Sequence, residues 1–166
     1  MFALKPIHLD SVPGALAKAE RYRLLHEPTE AESICLDILK IEPDNKQALV
    51  SLILALTDEI PHARHAFGEA LAATQRLPSA YDRAYYAGIC WERRAKGHHR
   101  RGGHGVQSHV YEWLVQALHL FEEAESLRAA GNDDAVLRWN ACVRYLDRHK
   151  ELAPRAEEVF EPISSE

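Results

Sequence analysis

Residues 31–45 have the sequence AESICLDILKIEPDN, and this stretch decides the fold class. Its apolar side chains recur at intervals of three and four residues, at Ala31, Ile34, Cys35, Ile38 and Leu39. This spacing matches the helical period of about 3.6 residues and differs from the strict alternation of a half-buried strand. Pro43, Asp44 and Asn45 follow, and they favour a turn because proline disrupts the interior of a helix. The stretch therefore predicts a helix that ends at a tight turn.

Prolines divide the first half of the chain at regular intervals. They are Pro28, Pro43, Pro61 and Pro78, which lie 15 to 18 residues apart. Because proline is tolerated only in the first turn of a helix, this spacing predicts short successive helices. We expect them over about 12–26, from residue 28 onward, over about 46–58 and over about 62–76. Helical spacing resumes in the second half, where Gly131 and Asn132 predict a helix stop and a new N-cap. The chain is predicted to be all-α.

The alternation of helix, short turn and helix has a period of about 34 residues, which is typical of helical-hairpin repeats. Residues 31–45 resemble the second helix of a tetratricopeptide repeat (TPR) and its closing proline, at Ala31, Leu39, Ile41 and Pro43. Ala19 and Tyr22 resemble the small and aromatic residues of a first helix, as do Gly88 and Trp91 in a third repeat. The resemblance implies a right-handed superhelix of about three TPR-like hairpins plus a C-terminal capping helix. The chain as a whole also resembles small bacterial TPR proteins of undescribed function.

Length and composition set the boundaries of this prediction. With 166 residues, we expect a single TPR-like domain over 1–150, with an insertion loop at about 96–108 and an acidic C-terminal tail at 151–166. The net charge of -5 disfavours a protein that coats nucleic acid. Three separated cysteines among apolar neighbours predict buried free thiols in a reducing compartment. Neither a secretory signal nor a membrane-spanning run is visible, so we expect a cytoplasmic protein.

In the TPR family the first helix of each hairpin lines a concave, peptide-binding face, so the resemblance implies a groove. Its predicted lining is Arg23 from the first repeat, Gln47, Val50 and Leu54 from the second, and Asp82, Tyr85, Ile89 and Arg93 from the third. The best-known subclass clamps a C-terminal carboxylate with Lys and Asn, but Leu16 and Glu20 occupy the matching positions here. The alternative is that Val50, Leu54 and Ile89 belong to the core because the repeat frame is displaced.

Residues 92–101 carry five basic residues and one acidic residue, a local charge of +4 within an acidic chain. Glycines at 97, 102, 103 and 105 favour an exposed, mobile loop. The alternative is anion or nucleic-acid binding over 93–109, through Arg93, Arg94, Lys96, Arg100 and Arg101. A metal site is not predicted, although His98, His99, His104 and His109 are weak candidates, because a glycine-rich loop holds ligands poorly.

The sequence contains no phosphate-cradling glycine-rich loop, no HExxH and no nucleophile-elbow motif. It therefore predicts a non-enzymatic scaffold or adaptor, without a cofactor, that binds another protein or a peptide through its groove. Nucleic acid is disfavoured as a partner, and no membrane association is expected. The oligomeric state has no signature in the sequence.

Overall fold

The computed structural model describes residues 2–102 and 106–154. Within these ranges the chain is helical and has no strand, so the all-α prediction is confirmed. The helices are α1 (Val12–Leu24), α2 (Pro28–Ile41), α3 (Lys46–Glu59), α4 (Ala66–Thr74), α5 (Ala80–Arg101), α6 (Val106–Ser126) and α7 (Asp134–Arg148). Short 3₁₀ turns at Leu9–Ser11 and Lys150–Leu152 flank them. No helix in the described part of the chain is long and apolar enough to cross a bilayer.

Local sequence accounts for the starts of α2, α3 and α5. Pro28 occupies the first position of α2, where its missing N–H costs no helical hydrogen bond. The Asn45 side chain accepts a hydrogen bond of 2.9 Å from the backbone N–H of Ala48, so its predicted role as the cap of α3 is confirmed. Ser79 caps α5 in the same way, through the backbone N–H of Asp82.

Consecutive helices pack against each other along the chain, and α1 contacts α3 while α3 contacts α5. One apolar core lies among α1 to α4 and one side of α5, and a second lies among α5, α6 and α7. Helix α5 separates the two cores, because Cys90 belongs to the first and Ile89 to the second. Its pairing with α6 is close at Gly88, where an added Cβ would lie 2.6 Å from Cε1 of Phe121.

The predicted insertion loop at 96–108 is wrong for most of its length, because residues 96–101 belong to α5 and residues 106–108 belong to α6. Helix α5 ends at Arg101, and Gly102, which follows it as the C-cap, has a φ of 69°. Gly97 allows α5 to pack closely against Pro61, since an added Cβ would lie 3.2 Å from Cγ of this proline. The glycine therefore does not mark a flexible loop. On this last part of α5, Nδ1 of His99 also lies 2.6 Å from the Tyr145 hydroxyl of α7, a contact that the sequence pattern does not reveal. Residues 103–105, and residues 155–166 of the predicted tail, lie outside the described residues.

Candidate functional site

A groove runs between α1 and α3 and encloses about 1110 Å³. Its half-buried large apolar lining residues, which we call the apolar base, are Leu16, Val50, Leu54 and Tyr86. Charged and polar side chains of both signs surround this base: Asp10, Glu20, Arg23, Glu42, Asn45, Lys46 and Gln47. We call this feature the α1–α3 groove. An apolar base with a mixed-charge rim suits an extended peptide or an amphipathic helix better than a compact polar metabolite.

The structure brings only part of the predicted groove set together. Arg23, Gln47, Val50 and Leu54 line the α1–α3 groove, and the last two are half-buried rather than fully buried in the core. From α5, however, the lining residue is Tyr86, which the sequence analysis missed. The clue to Tyr86 is its place four residues before Cys90, on the side of α5 that faces the first core.

The predicted α5 residues lie elsewhere because α5 is covered on two sides. Ile89 is only 2% exposed and packs in the second core. Tyr85 stacks on Tyr81 with ring centroids 5.7 Å apart. Asp82 accepts a hydrogen bond from the Ser79 hydroxyl and forms an ion pair of 2.6 Å with Lys46. Ile89, Tyr85 and Asp82 thus make contacts within the fold, and none of the three lines the groove as predicted.

An ion cluster joins α1, α3 and α5 near the end of the α1–α3 groove. Asp58 on α3 forms ion pairs with Arg23 on α1, at 3.4 Å, and with Arg93 on α5. Arg93 also donates a hydrogen bond of 3.0 Å to the hydroxyl of Thr57. Arg93 therefore has its charge compensated by Asp58, and it does not line the groove as predicted.

The five predicted anion-binding cations of α5 point to different places. Lys96 forms an ion pair of 2.6 Å with Glu92, a buried carboxylate that also pairs with Arg138 of α7. Arg93 is paired with Asp58, as described above. Arg100 is exposed and lies near Tyr145; burial raises the pKa of this phenol, and the charge of Arg100 offsets part of the increase. Arg94 and Arg101 are the two that converge on one cavity.

That cavity, which we call the basic pocket, lies between the α3–α4 turn and the last turns of α5 and encloses about 490 Å³. Its lining residues are Ile60, His62, Ala63, Arg64, Phe67, Arg94, His98 and Arg101. The guanidinium carbon of Arg94 lies 4.1 Å from the ring centroid of Phe67 and 4.2 Å from that of Trp113. Burial lowers the pKa of Arg94, and burial together with Arg94 and Arg101 lowers the pKa of His98.

The histidines suggested as weak metal candidates do not converge as a group. The His98 ring contacts Trp113 edge-on, with centroids 4.9 Å apart, and the His109 ring lies 6.0 Å from the same indole. His104 lies outside the described residues. His99 instead lies with His149 and Glu151, and the ligand atoms of these three side chains are within 4.8 Å of one another.

This histidine cluster has the donor types of a divalent-metal site, two imidazoles and a carboxylate. The Glu151 carboxylate lies 3.0 Å from Nδ1 of His149 and 3.8 Å from Nε2 of His99. Nδ1 of His99 lies 2.6 Å from the Tyr145 hydroxyl, which leaves Nε2 facing the cluster. A backbone hydrogen bond and the His149 ring lower the pKa of Glu151. The same distances also describe an ordinary polar contact that ties the Lys150–Leu152 turn to α5.

Comparison with protein-family models, curated proteins and solved structures gives no match for this chain. The chemistry of the sites therefore rests on their own geometry.

Proposed function

We propose that this chain is a non-enzymatic, TPR-like scaffold that binds a peptide or an amphipathic helix of another protein in the α1–α3 groove. In this proposal α1 to α6 are three hairpins of a right-handed superhelix, and α7 caps the stack. The contacts of α1 with α3 and of α3 with α5 support it, because stacked hairpins place their first helices side by side. No cofactor is needed for such a role.

The observation that carries the proposal is the half-buried apolar base of the groove. Val50 and Leu54 lie on α3, one turn apart, and they share the base with Leu16 and Tyr86. A partner side chain placed there would exclude water from apolar surface, which is the main source of affinity in helix-in-groove binding. The charged rim would select among partners by complementarity.

The proposed setting is the reducing cytoplasm. The prediction of buried free thiols is confirmed at Cys35, Cys90 and Cys142. Burial raises the pKa of each thiol to about 12, so the thiols are structural rather than reactive. Free thiols are typical of proteins that fold without an oxidising environment.

The test is selection of binding peptides from a random library by the folded protein, followed by affinity measurement with variants. Val50→Lys places a charge in the apolar base and should weaken the selected peptides at least about tenfold. The matched control is Leu36→Lys, because Leu36 is exposed on α2 outside the groove. Far-UV circular dichroism of both variants verifies that they are folded. The proposal fails if no peptide is selected, or if Val50→Lys and Leu36→Lys bind the peptides equally well.

A further inference from the structure

The basic pocket is separate from the α1–α3 groove, and among the described residues no ion pair compensates its arginines. Arg64, Arg94 and Arg101 line it, and no Asp or Glu of the described residues does. Among the described residues, none of these three arginines forms an ion pair with an Asp or Glu. Their neighbours on α5 differ, because Arg93 pairs with Asp58 and Lys96 pairs with Glu92.

Arg94 is the central group of the pocket. Its guanidinium lies between the rings of Phe67 and Trp113, at 4.1 Å and 4.2 Å from their centroids. Contact with both rings stabilises the cation, and the guanidinium N–H groups, which lie in its plane, are the groups that donate hydrogen bonds. A cation that has lost water without gaining a counter-charge is costly, and an anion would relieve that cost. The aromatic pair thus packs against the guanidinium of an arginine that lines the cavity.

Other residues around Arg94 add positive charge and hydrogen-bonding groups to the pocket. Arg64 and Arg101 approach from the α3–α4 turn and from the end of α5, and His62 and His98 supply further hydrogen-bonding groups. All of these features favour an anion of high charge.

We propose that the basic pocket binds the phosphate group of a small phosphorylated compound. A phosphate monoester is close to a dianion at neutral pH, and it accepts paired hydrogen bonds from guanidinium groups. The volume of about 490 Å³ suits a small molecule. Single-stranded nucleic acid is a poorer fit because it usually stacks its bases on aromatic rings, and here Arg94 covers Phe67 and Trp113.

The experiment measures binding to the folded full-length chain by isothermal titration calorimetry and by tryptophan fluorescence. Inorganic phosphate, phenyl phosphate and single-stranded oligouridylates of increasing length are the probes. The fluorescence should respond because Trp113 stacks on Arg94 and Trp91 lies close to it, with its ring centroid 5.5 Å from the guanidinium carbon. We expect one phenyl phosphate per chain. The inorganic phosphate arm distinguishes a site for the free ion from a site for a phosphorylated compound.

The variants use the exposed arginines, which can be changed without disturbing the core. Arg64→Gln and Arg101→Gln should each weaken phenyl phosphate binding about tenfold, the effect of losing one charge-assisted hydrogen bond. Arg100→Gln is the matched control, since Arg100 is equally charged, adjacent in sequence and absent from the pocket lining. Val50→Lys in the α1–α3 groove should leave phosphate binding unchanged, so failure of the peptide proposal is distinguishable from failure of this one.

Three results would overturn the proposal. The first is binding of phenyl phosphate that is weaker than about 1 mM or weaker than that of inorganic phosphate. The second is an equal loss of affinity in Arg100→Gln and Arg101→Gln, which would indicate a general charge effect. The third is affinity for oligouridylate that exceeds that for phenyl phosphate and rises with length, which would indicate a polyanion surface.

Discussion

Replacing Gly88 by alanine should destabilise the protein, because this residue is where α5 and α6 approach most closely among the described glycines. An ideal Cβ at position 88 would lie 2.6 Å from Cε1, 2.8 Å from Cδ1 and 3.0 Å from Cζ of Phe121. Carbon atoms in favourable contact are about 3.5–4.0 Å apart, so the overlap is about 1 Å. Phe121 is fully buried in the second core, and its ring cannot swing into solvent to make room.

The size of the effect follows from two opposing terms. Overpacking of a well-filled core costs about 1–3 kcal/mol, and contact with three atoms of one buried ring favours the upper end. Alanine in place of glycine inside a helix contributes about 1 kcal/mol in the opposite direction. The expected net loss in the free energy of unfolding is about 2 kcal/mol. Urea unfolding followed by far-UV circular dichroism measures it.

Gly14→Ala is the matched control for this prediction. Gly14 lies in α1, is exposed, and has nothing within 4 Å of an added Cβ. This variant should keep the gain in helix propensity without the clash, and should be up to about 1 kcal/mol more stable than the wild type. A Gly88→Ala variant as stable as Gly14→Ala would refute the close approach of α5 and α6. A second check is Phe121→Leu, which should reduce the cost of Gly88→Ala if the contact is direct.

Three further predictions concern buried charge, buried thiols and pH. Glu92→Ala removes the carboxylate that lies between Lys96 and Arg138, and it should lower the free energy of unfolding by about 3–5 kcal/mol. The control is Glu112→Ala at an exposed position, which should leave the free energy of unfolding unchanged. Equal stability of the two variants would contradict the buried ion cluster. Burial raises the pKa of all three cysteines to about 12. A thiol reagent at mildly alkaline pH should therefore label the urea-unfolded chain rapidly and the native chain hardly at all. Rapid labelling of Cys35 in the native protein would contradict its burial in the first core. The pKa of His98 is lowered in the folded state from its usual 6.5, so the unfolded state binds more protons and stability should fall as the pH drops through that value. His98→Gln should reduce this acid-side loss of melting temperature, and an unchanged pH profile would argue that His98 is solvated.

Several helices and some of their starts could be predicted from sequence because they depend on neighbours close along the chain. The predictions were wrong for α4, which begins at Ala66 and not near residue 62, and for the N-cap of α7, which is Asp133 and not Asn132. The spacing of Ile34, Cys35, Ile38 and Leu39 is enough to indicate α2, and Asn45 is enough to indicate the start of α3. Part of the candidate groove followed from the same information. Val50 and Leu54 lie on one face of α3 whatever the rest of the chain does.

Features that depend on contacts between distant segments could not be predicted in this way. A glycine such as Gly97 is equally compatible with a mobile loop and with a tight contact, and Pro61 alone distinguishes the two. The groove residue on α5 is Tyr86 and not Ile89, because α6 covers the other side of that helix.

The same division holds for charge. The sequence was sufficient to locate a positively charged segment at 92–101. It was also sufficient to predict that the regular secondary structure of the chain is α-helical. It was not sufficient to separate Arg93 and Lys96, which have carboxylate partners, from Arg94, which has aromatic ones. Helical periodicity is a local property of the chain. The partner of a side chain depends on which distant helix packs against it, and that is a property of the folded molecule alone.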